Sequence, residues 1–147
     1  MTIDINRSFF LISLMALSQI NASELTINLS NQEKAGTLML AIYENAESFQ
    51  GSVKNEKRSE AGVFSGIELY LEPQDTTELS VEIPDGAYAI ALFIDVNGNK
   101  KLDKNFLGIP KEQFGFSNNA MGILAAPTFN QAKFNIEGQA VQNIKLK

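Results

Sequence analysis

The chain has no cysteine, no histidine and no tryptophan among its 147 residues. Without imidazole or thiol there is no Ser-His-Asp triad, no thiol nucleophile, no disulfide and no ordinary zinc site. Positive charge is also scarce: 12 Lys and Arg face 17 Asp and Glu, for a net charge of −5. That balance argues against a nucleic-acid partner, which calls for a basic surface. What remains is ordinary globular material. With 44% hydrophobic residues, the length suits one domain with a real core and argues against disorder over most of the chain.

Residues Met1 to Ser23 differ in pattern from the rest. A short polar start ends at Arg7, Phe9 to Leu17 is apolar apart from Ser13, and small residues Ala22 and Ser23 follow. This is the order of a secretory signal peptide, which predicts a periplasmic or secreted protein whose mature chain begins at Ser23 or Glu24. The apolar stretch is about half of the ~20 residues a spanning helix needs, so no transmembrane anchor is expected after cleavage. An exported domain without cysteine has to rely on its core.

From Glu24 onward the dominant hydrophobic period is two. Leu25, Ile27 and Leu29 alternate with Thr26 and Asn28, and Thr37 to Tyr43 is a longer apolar run. Glu44 to Phe49 suits one helical turn, and the mixed charges from Lys54 to Glu60 suit a solvated loop. Strands are predicted at Gly66 to Leu71, Glu78 to Ile83 and Ala87 to Ile94. The last is almost wholly apolar, as for a central strand buried on both faces. Pro84-Asp85-Gly86 predicts a turn with Gly86 free to take a positive φ. Ala132 to Ile136 and Val141 to Leu146 flank Glu137-Gly138-Gln139, which predicts a final hairpin. About seven short strands separated by turn signals give an all-β chain, an antiparallel β-sandwich, in one domain over residues 24–147.

One constellation carries specific chemistry. Directly after the apolar strand comes Asp95-Val96-Asn97-Gly98-Asn99-Lys100-Lys101-Leu102-Asp103. Oxygen-bearing side chains stand at loop positions 1, 3, 5 and 9, the spacing of helix-loop-helix calcium loops, and the Lys101 carbonyl occupies position 7. Such a coiled loop turns alternate oxygens toward a hard cation, and oxygen ligands suit Ca2+. Leu102 is expected to anchor the loop in the core. Lys100 stands at position 6, where glycine normally makes the sharp turn, and Phe106 stands at position 12 in place of a bidentate glutamate. Glu112 is the nearest downstream carboxylate, either a further ligand or a brace accepting backbone hydrogen bonds. With so few carboxylates, affinity falls in the weak range of roughly 10⁻⁴ to 10⁻³ M. The rival reading is a plain hairpin, because Asn97-Gly98 is a strong type I′ turn signal.

The ordered string of Asp85-Gly86-Ala87-Tyr88-Ala89, Asp95 to Asp103, Gly108-Ile109-Pro110-Lys111-Glu112 and Phe114-Gly115-Phe116-Ser117-Asn118-Asn119 resembles the bacterial exported proteins grouped as domain of unknown function 2141. The similarity is densest from Pro84 to Pro127. It implies an exported β-sandwich akin to immunoglobulin-like or transthyretin-like modules, and no assigned activity. This chain departs from the usual pattern at Ile94, where the family often has histidine, and at Lys100, where it commonly has glycine.

Three functions compete. The first is a non-enzymatic cell-envelope module that binds Ca2+ weakly through Asp95, Asn97, Asn99, Lys101, Asp103 and Glu112, with an unknown cell-envelope or extracellular partner. The second is a carbohydrate- or small-ligand-binding module using the Gly108 to Pro127 loop, with its phenylalanines and with Asn118 and Asn119. In the bland alternative those phenylalanines plug one end of the core and the asparagines cap turns. The third is a carboxylate-based hydrolase using a pair from Asp95, Asp103 and Glu112, disfavoured by the missing imidazole and thiol.

Overall fold

The computed structural model describes residues 22–54 and 62–147. All but the last two residues of the Met1 to Ser23 signal-peptide reading, and most of the Lys54 to Glu60 charge cluster, lie outside the described residues. Where the alternating pattern starts, a strand starts: β1 spans Ser23–Gln32 and turns Leu25, Ile27 and Leu29 to one face, all fully buried. It is followed by β2 (Gly36–Tyr43), α1 (Ala46–Lys54), β3 (Ser65–Leu71), β4 (Gln74–Ile83), β5 (Gly86–Asp95), the short β6 (Phe114–Phe116), a 3-10 turn (Ser117–Asn119), α2 (Phe129–Ala132), β7 (Phe134–Ile136) and β8 (Gln139–Lys145).

These strands form two sheets, β4-β1-β8 and β3-β2-β5-β6, with β7 also paired to β5. Aliphatic side chains from both sheets, among them Leu25, Ile27, Leu38, Leu40, Ile90, Ile94 and Ile144, make one core. The all-β sandwich is therefore observed, with eight strands among the described residues where about seven were expected. One pairing is not antiparallel: β8 runs parallel to β1, in register Leu25 with Ala140 and Leu29 with Ile144.

The same fact overturns the expected final hairpin. β7 pairs with β5 in one sheet while β8 joins β1 in the other, so Glu137-Gly138 is a corner between sheets. Only an isolated Glu137–Gln139 bridge marks the turn, made by Gly138 at φ 74°. The Pro84-Asp85-Gly86 turn likewise passes the chain between sheets. Gly86 is absent from the positive-φ residues; it is small because a Cβ there would stand 3.1 Å from the Tyr88 ring. Asp85 ties this end together, accepting hydrogen bonds from the Ser23 hydroxyl and from the Gly138 N–H at 2.8 Å. Those donors hold its carboxyl below the ordinary aspartate value. The stability it adds is therefore present above the unfolded-state pKa and is lost as pH falls through the lowered folded value.

The apolar run of β5 is central, as expected, with β2 on one side. Its other edge is covered piecemeal. β7 pairs Gly86 to Tyr88, the Ser117 hydroxyl accepts the Ile90 N–H at 2.8 Å, β6 pairs Ala91 to Phe93, and the Ile94 N–H donates to the Gln113 carbonyl at 2.8 Å. A buried strand leaves no backbone donor idle, and here one side chain fills the gap between two short strands.

A second cluster lies on the outer face of this sheet. Phe49, fully buried, meets Tyr43, Phe116 and Phe129 edge-on at centroid distances of 5.6, 6.2 and 6.0 Å. α1 runs nine residues, longer than the single turn the sequence suggested, and the added turn brings Val53 to the same cluster. Asn45 caps the helix, its side chain accepting the Ser48 N–H at 2.9 Å, and Phe49 and Val53 share one face.

Candidate functional site

The loop 96–113 leaves the C-terminal end of β5 and returns as β6, so both of its ends are held by the central sheet. Asp95 is the last residue of β5 and is 3% exposed. Its two carboxylate oxygens accept the N–H groups of Gly98 and Lys100, each at 2.8 Å. The Asn97 side-chain oxygen accepts the Asn99 N–H at 3.1 Å, and the Asn99 oxygen accepts the Lys101 N–H at 2.8 Å. Each oxygen-bearing residue thus folds the chain back over itself, the Asx geometry that polar residues bring to turns.

That coil is not the type I′ turn that Asn97-Gly98 signals, while a polar turn without metal stays compatible with it. A type I′ turn needs positive φ at both central residues, and here Gly98 (φ 75°) has it while Asn97 does not. The second left-handed residue is Lys100, at φ 59°. The turn that glycine makes in calcium loops is made here by a lysine, whose ammonium reaches Glu68 at 3.3 Å across exposed surface.

Asp103 closes the loop. Its oxygens accept the amide nitrogens of Asn97 at 2.6 Å and of Asn99 at 3.0 and 3.1 Å. Of the four side chains predicted at positions 1, 3, 5 and 9, those of Asn97, Asn99 and Asp103 are joined by hydrogen bonds, while Asp95 bonds the loop backbone at Gly98 and Lys100. Leu102 is only half-buried and stands outside both core clusters, so the loop is not anchored by an apolar plug. Phe106 at position 12 is 95% exposed.

Glu112 supplies the anchor. It is 6% exposed and accepts the Val96 N–H at 2.9 Å through one oxygen and the Asp103 N–H at 3.0 Å through the other. A single carboxylate thus staples the two ends of the coil, which is the bracing role anticipated as one alternative. Its neighbour Gln113, which the sequence did not single out, clamps the β1–β2 turn: its oxygen accepts the N–H groups of Glu33 and Lys34, and its nitrogen donates to the Asn31 carbonyl. No periodicity marks such a residue, because its partners lie about eighty positions away.

Among the described residues no three carboxylates converge in a metal-holding group. The oxygen set of the loop is mixed, two carboxylates with two carboxamides and a backbone carbonyl. The candidate ligand loop from Gly108 to Pro127 contains β6 and the 3-10 turn, and its polar groups are engaged with protein. Asn118 donates to the carbonyls of Gln131 and Lys133 at 3.3 and 2.8 Å. Asn119 donates to the Asn143 carbonyl and accepts the Lys145 N–H, both close to 2.9 Å. Its carboxamide fills the open edge of β8 as a peptide unit of a neighbouring strand does. Phe114, Phe116 and Phe129 pack in or against the outer cluster. The phenylalanines and asparagines of this segment thus do structural work.

A family model described as an uncharacterized protein conserved in bacteria, domain of unknown function 2141, matches residues 27–145. No curated protein and no solved structure matches the chain.

Proposed function

The chain belongs to this family, and from that premise we propose that it is an exported, non-enzymatic β-sandwich of the bacterial cell envelope, a structural or interaction module whose Asp95 to Asp103 loop takes up Ca2+. Export rests on the signal-like order of Met1 to Ser23. Cation binding rests on one observation above the rest. Lys100 adopts the left-handed turn at position 6 that a calcium loop requires, with the oxygens of positions 1, 3 and 5 each accepting a backbone N–H in the succession such a loop uses.

The ligands in this reading are Asp95, Asn97, Asn99, the Lys101 carbonyl and Asp103, with Glu112 as brace. The amide nitrogens of Asn97 and Asn99 already occupy Asp103, so an incoming cation displaces those hydrogen bonds before it gains the carboxylate. That competition, and the three nearby lysines at 100, 101 and 104, keep the affinity weak. At a free Ca2+ about ten times the dissociation constant, linkage adds roughly 1.4 kcal/mol to stability, or about 5 °C in Tm for a domain of this size. Melting curves in millimolar Ca2+ and in chelator measure it. The expected result is a higher Tm in Ca2+ that Asp103→Ala removes; coincident curves for the parent chain sink the cation reading. Asp103→Ala is preferred to a change at Asp95 because Asp95 is buried and holds two backbone N–H groups in any case.

A further inference from the structure

The tip of the 96–113 loop is apolar and outward. Phe106 is 95% exposed, Leu107 68% and Ile109 55%, three large apolar side chains within four consecutive positions. These three do not hang from a slack segment. The Asn105 side-chain oxygen accepts the N–H groups of Leu107 and Ile109 at 2.9 and 3.0 Å, its carbonyl accepts the Gly108 N–H at 2.9 Å, and its own N–H donates to the Ile109 carbonyl at 2.8 Å. Below them Lys104 and Pro110 form a bridge. The N–H groups of Asn105, Leu107, Gly108 and Ile109 are thus satisfied inside the tip. Unsatisfied backbone groups are the main obstacle to placing a loop in an apolar medium.

The surroundings of the tip are basic in a chain that is acidic overall. Lys104 and Lys111 stand at its base, Lys101 is exposed nearby, and the Lys34 ammonium lies 3.5 Å from the Lys111 carbonyl. Two of the neighbouring carboxylates are engaged within the protein, Glu112 by backbone N–H groups and Asp103 by two carboxamides, and Glu33 is exposed beside Lys34. A second exposed apolar stretch, with Ile123 at 95% and Leu124 at 104%, has no charged residue between Glu112 and Lys133 and so lacks this collar.

We propose that the 104–111 tip is an interfacial anchor that inserts Phe106 and Leu107 into the surface of an anionic lipid bilayer. Lysines at the base place their stems along the apolar layer and their ammonium groups among the phosphates. The tip is already ordered, so little conformational freedom is lost on insertion. The inference stands apart from the cation reading, because neither the apolar side chains nor the lysines need a metal.

The test uses the absence of tryptophan: Phe106→Trp makes a single reporter in an otherwise Trp-free chain. Its emission, and its quenching by brominated lipid, are followed in vesicles of phosphatidylcholine with and without phosphatidylglycerol, in chelator so that no metal contributes. The readout is local to the tip so that it does not register the separate apolar stretch Phe9 to Leu17 of the full chain. Emission is expected to move to the blue on phosphatidylglycerol vesicles and to need about tenfold more lipid without the anionic component. Adding Leu107→Ser and Ile109→Ser, both at exposed positions, should leave Tm unchanged and raise the lipid needed at least about tenfold. Ile123→Ser with Leu124→Ser should change nothing. The proposal is overturned if emission is unmoved by vesicles, if the Leu107/Ile109 pair behaves as its parent, or if the Ile123/Leu124 pair alone abolishes the shift.

Discussion

The loop ahead of β6 and the segment behind it hang from the same three-residue strand, yet one is organised by carboxylates and the other by aromatic rings. In the first, Asp95 and Glu112 each accept two backbone N–H groups, and Leu102 adds no core contact. In the second, Phe116 and Phe129 close over Phe49, while Ser117 and the asparagines finish strand edges. Apolar packing resists solvent composition, whereas charge-based folding of a loop responds to whatever competes for the carboxylates. A surface that is to sense ions belongs in a region of the first kind, and a fixed wall in one of the second.

Three substitutions would sharpen that contrast. The largest effect is expected from Phe49→Ala, which opens the centre of the aromatic cluster and should cost about 3–5 kcal/mol by denaturant titration. A loss under 1 kcal/mol would mean that the outer cluster is not a unit of packing. Next comes Glu112→Gln, which keeps the size but leaves one of two N–H groups without an acceptor; about 1–3 kcal/mol should be lost. The loss should be accompanied by faster amide exchange at Val96 or Asp103 and none at Ile90, and uniform exchange across β5 would break the comparison. The smallest effect is expected from Lys100→Gly. Relief of the left-handed strain should stabilise by about 0.5–1 kcal/mol, offset slightly by the exposed ion pair to Glu68, worth little on its own. A destabilised Lys100→Gly protein would show that the ammonium, not the backbone, governs that turn.

Much of this was open to local reading. Alternation at Leu25, Ile27 and Leu29 and the apolar run of β5 are consequences of burial on one face or two, which neighbouring residues alone decide. The Asp-x-Asn-x-Asn spacing was legible for the same reason, since each side chain bonds within a few positions of itself. Glu137-Gly138-Gln139 was misread because a positive-φ glycine serves a hairpin and a corner equally well; which sheet receives β8 depends on β1, more than a hundred residues earlier. Glu112 was legible as a ligand or a brace but not as one or the other, Asn119 as a turn-capping amide but not as a partner of β8, and Gln113 gave no signal, because their partners are set by how the sheets meet. The reach of α1 past Phe49 was hidden by Gly51 and Ser52, poor helix formers held there by Phe49 and Val53 against the sheet.

The parallel pairing of β1 with β8 also orders events in time. β1 is the middle strand of its sheet, and its two neighbours come late: Ile83 pairs back to Ser23, and Lys145 to Ser30. Until Gln139–Lys145 have left the ribosome, β1 has an open edge beside its row of Leu25, Ile27 and Leu29. Closing a loop that long is slow, so the β4-β1-β8 sheet is expected to be completed after the β3-β2-β5 pairing, whose strands all precede residue 96. The same topology makes a truncated product conspicuous. A chain that stops before Gln139 has the other strands of the described residues and still leaves the middle of one sheet unpaired on one side, an open edge prone to find the wrong partner.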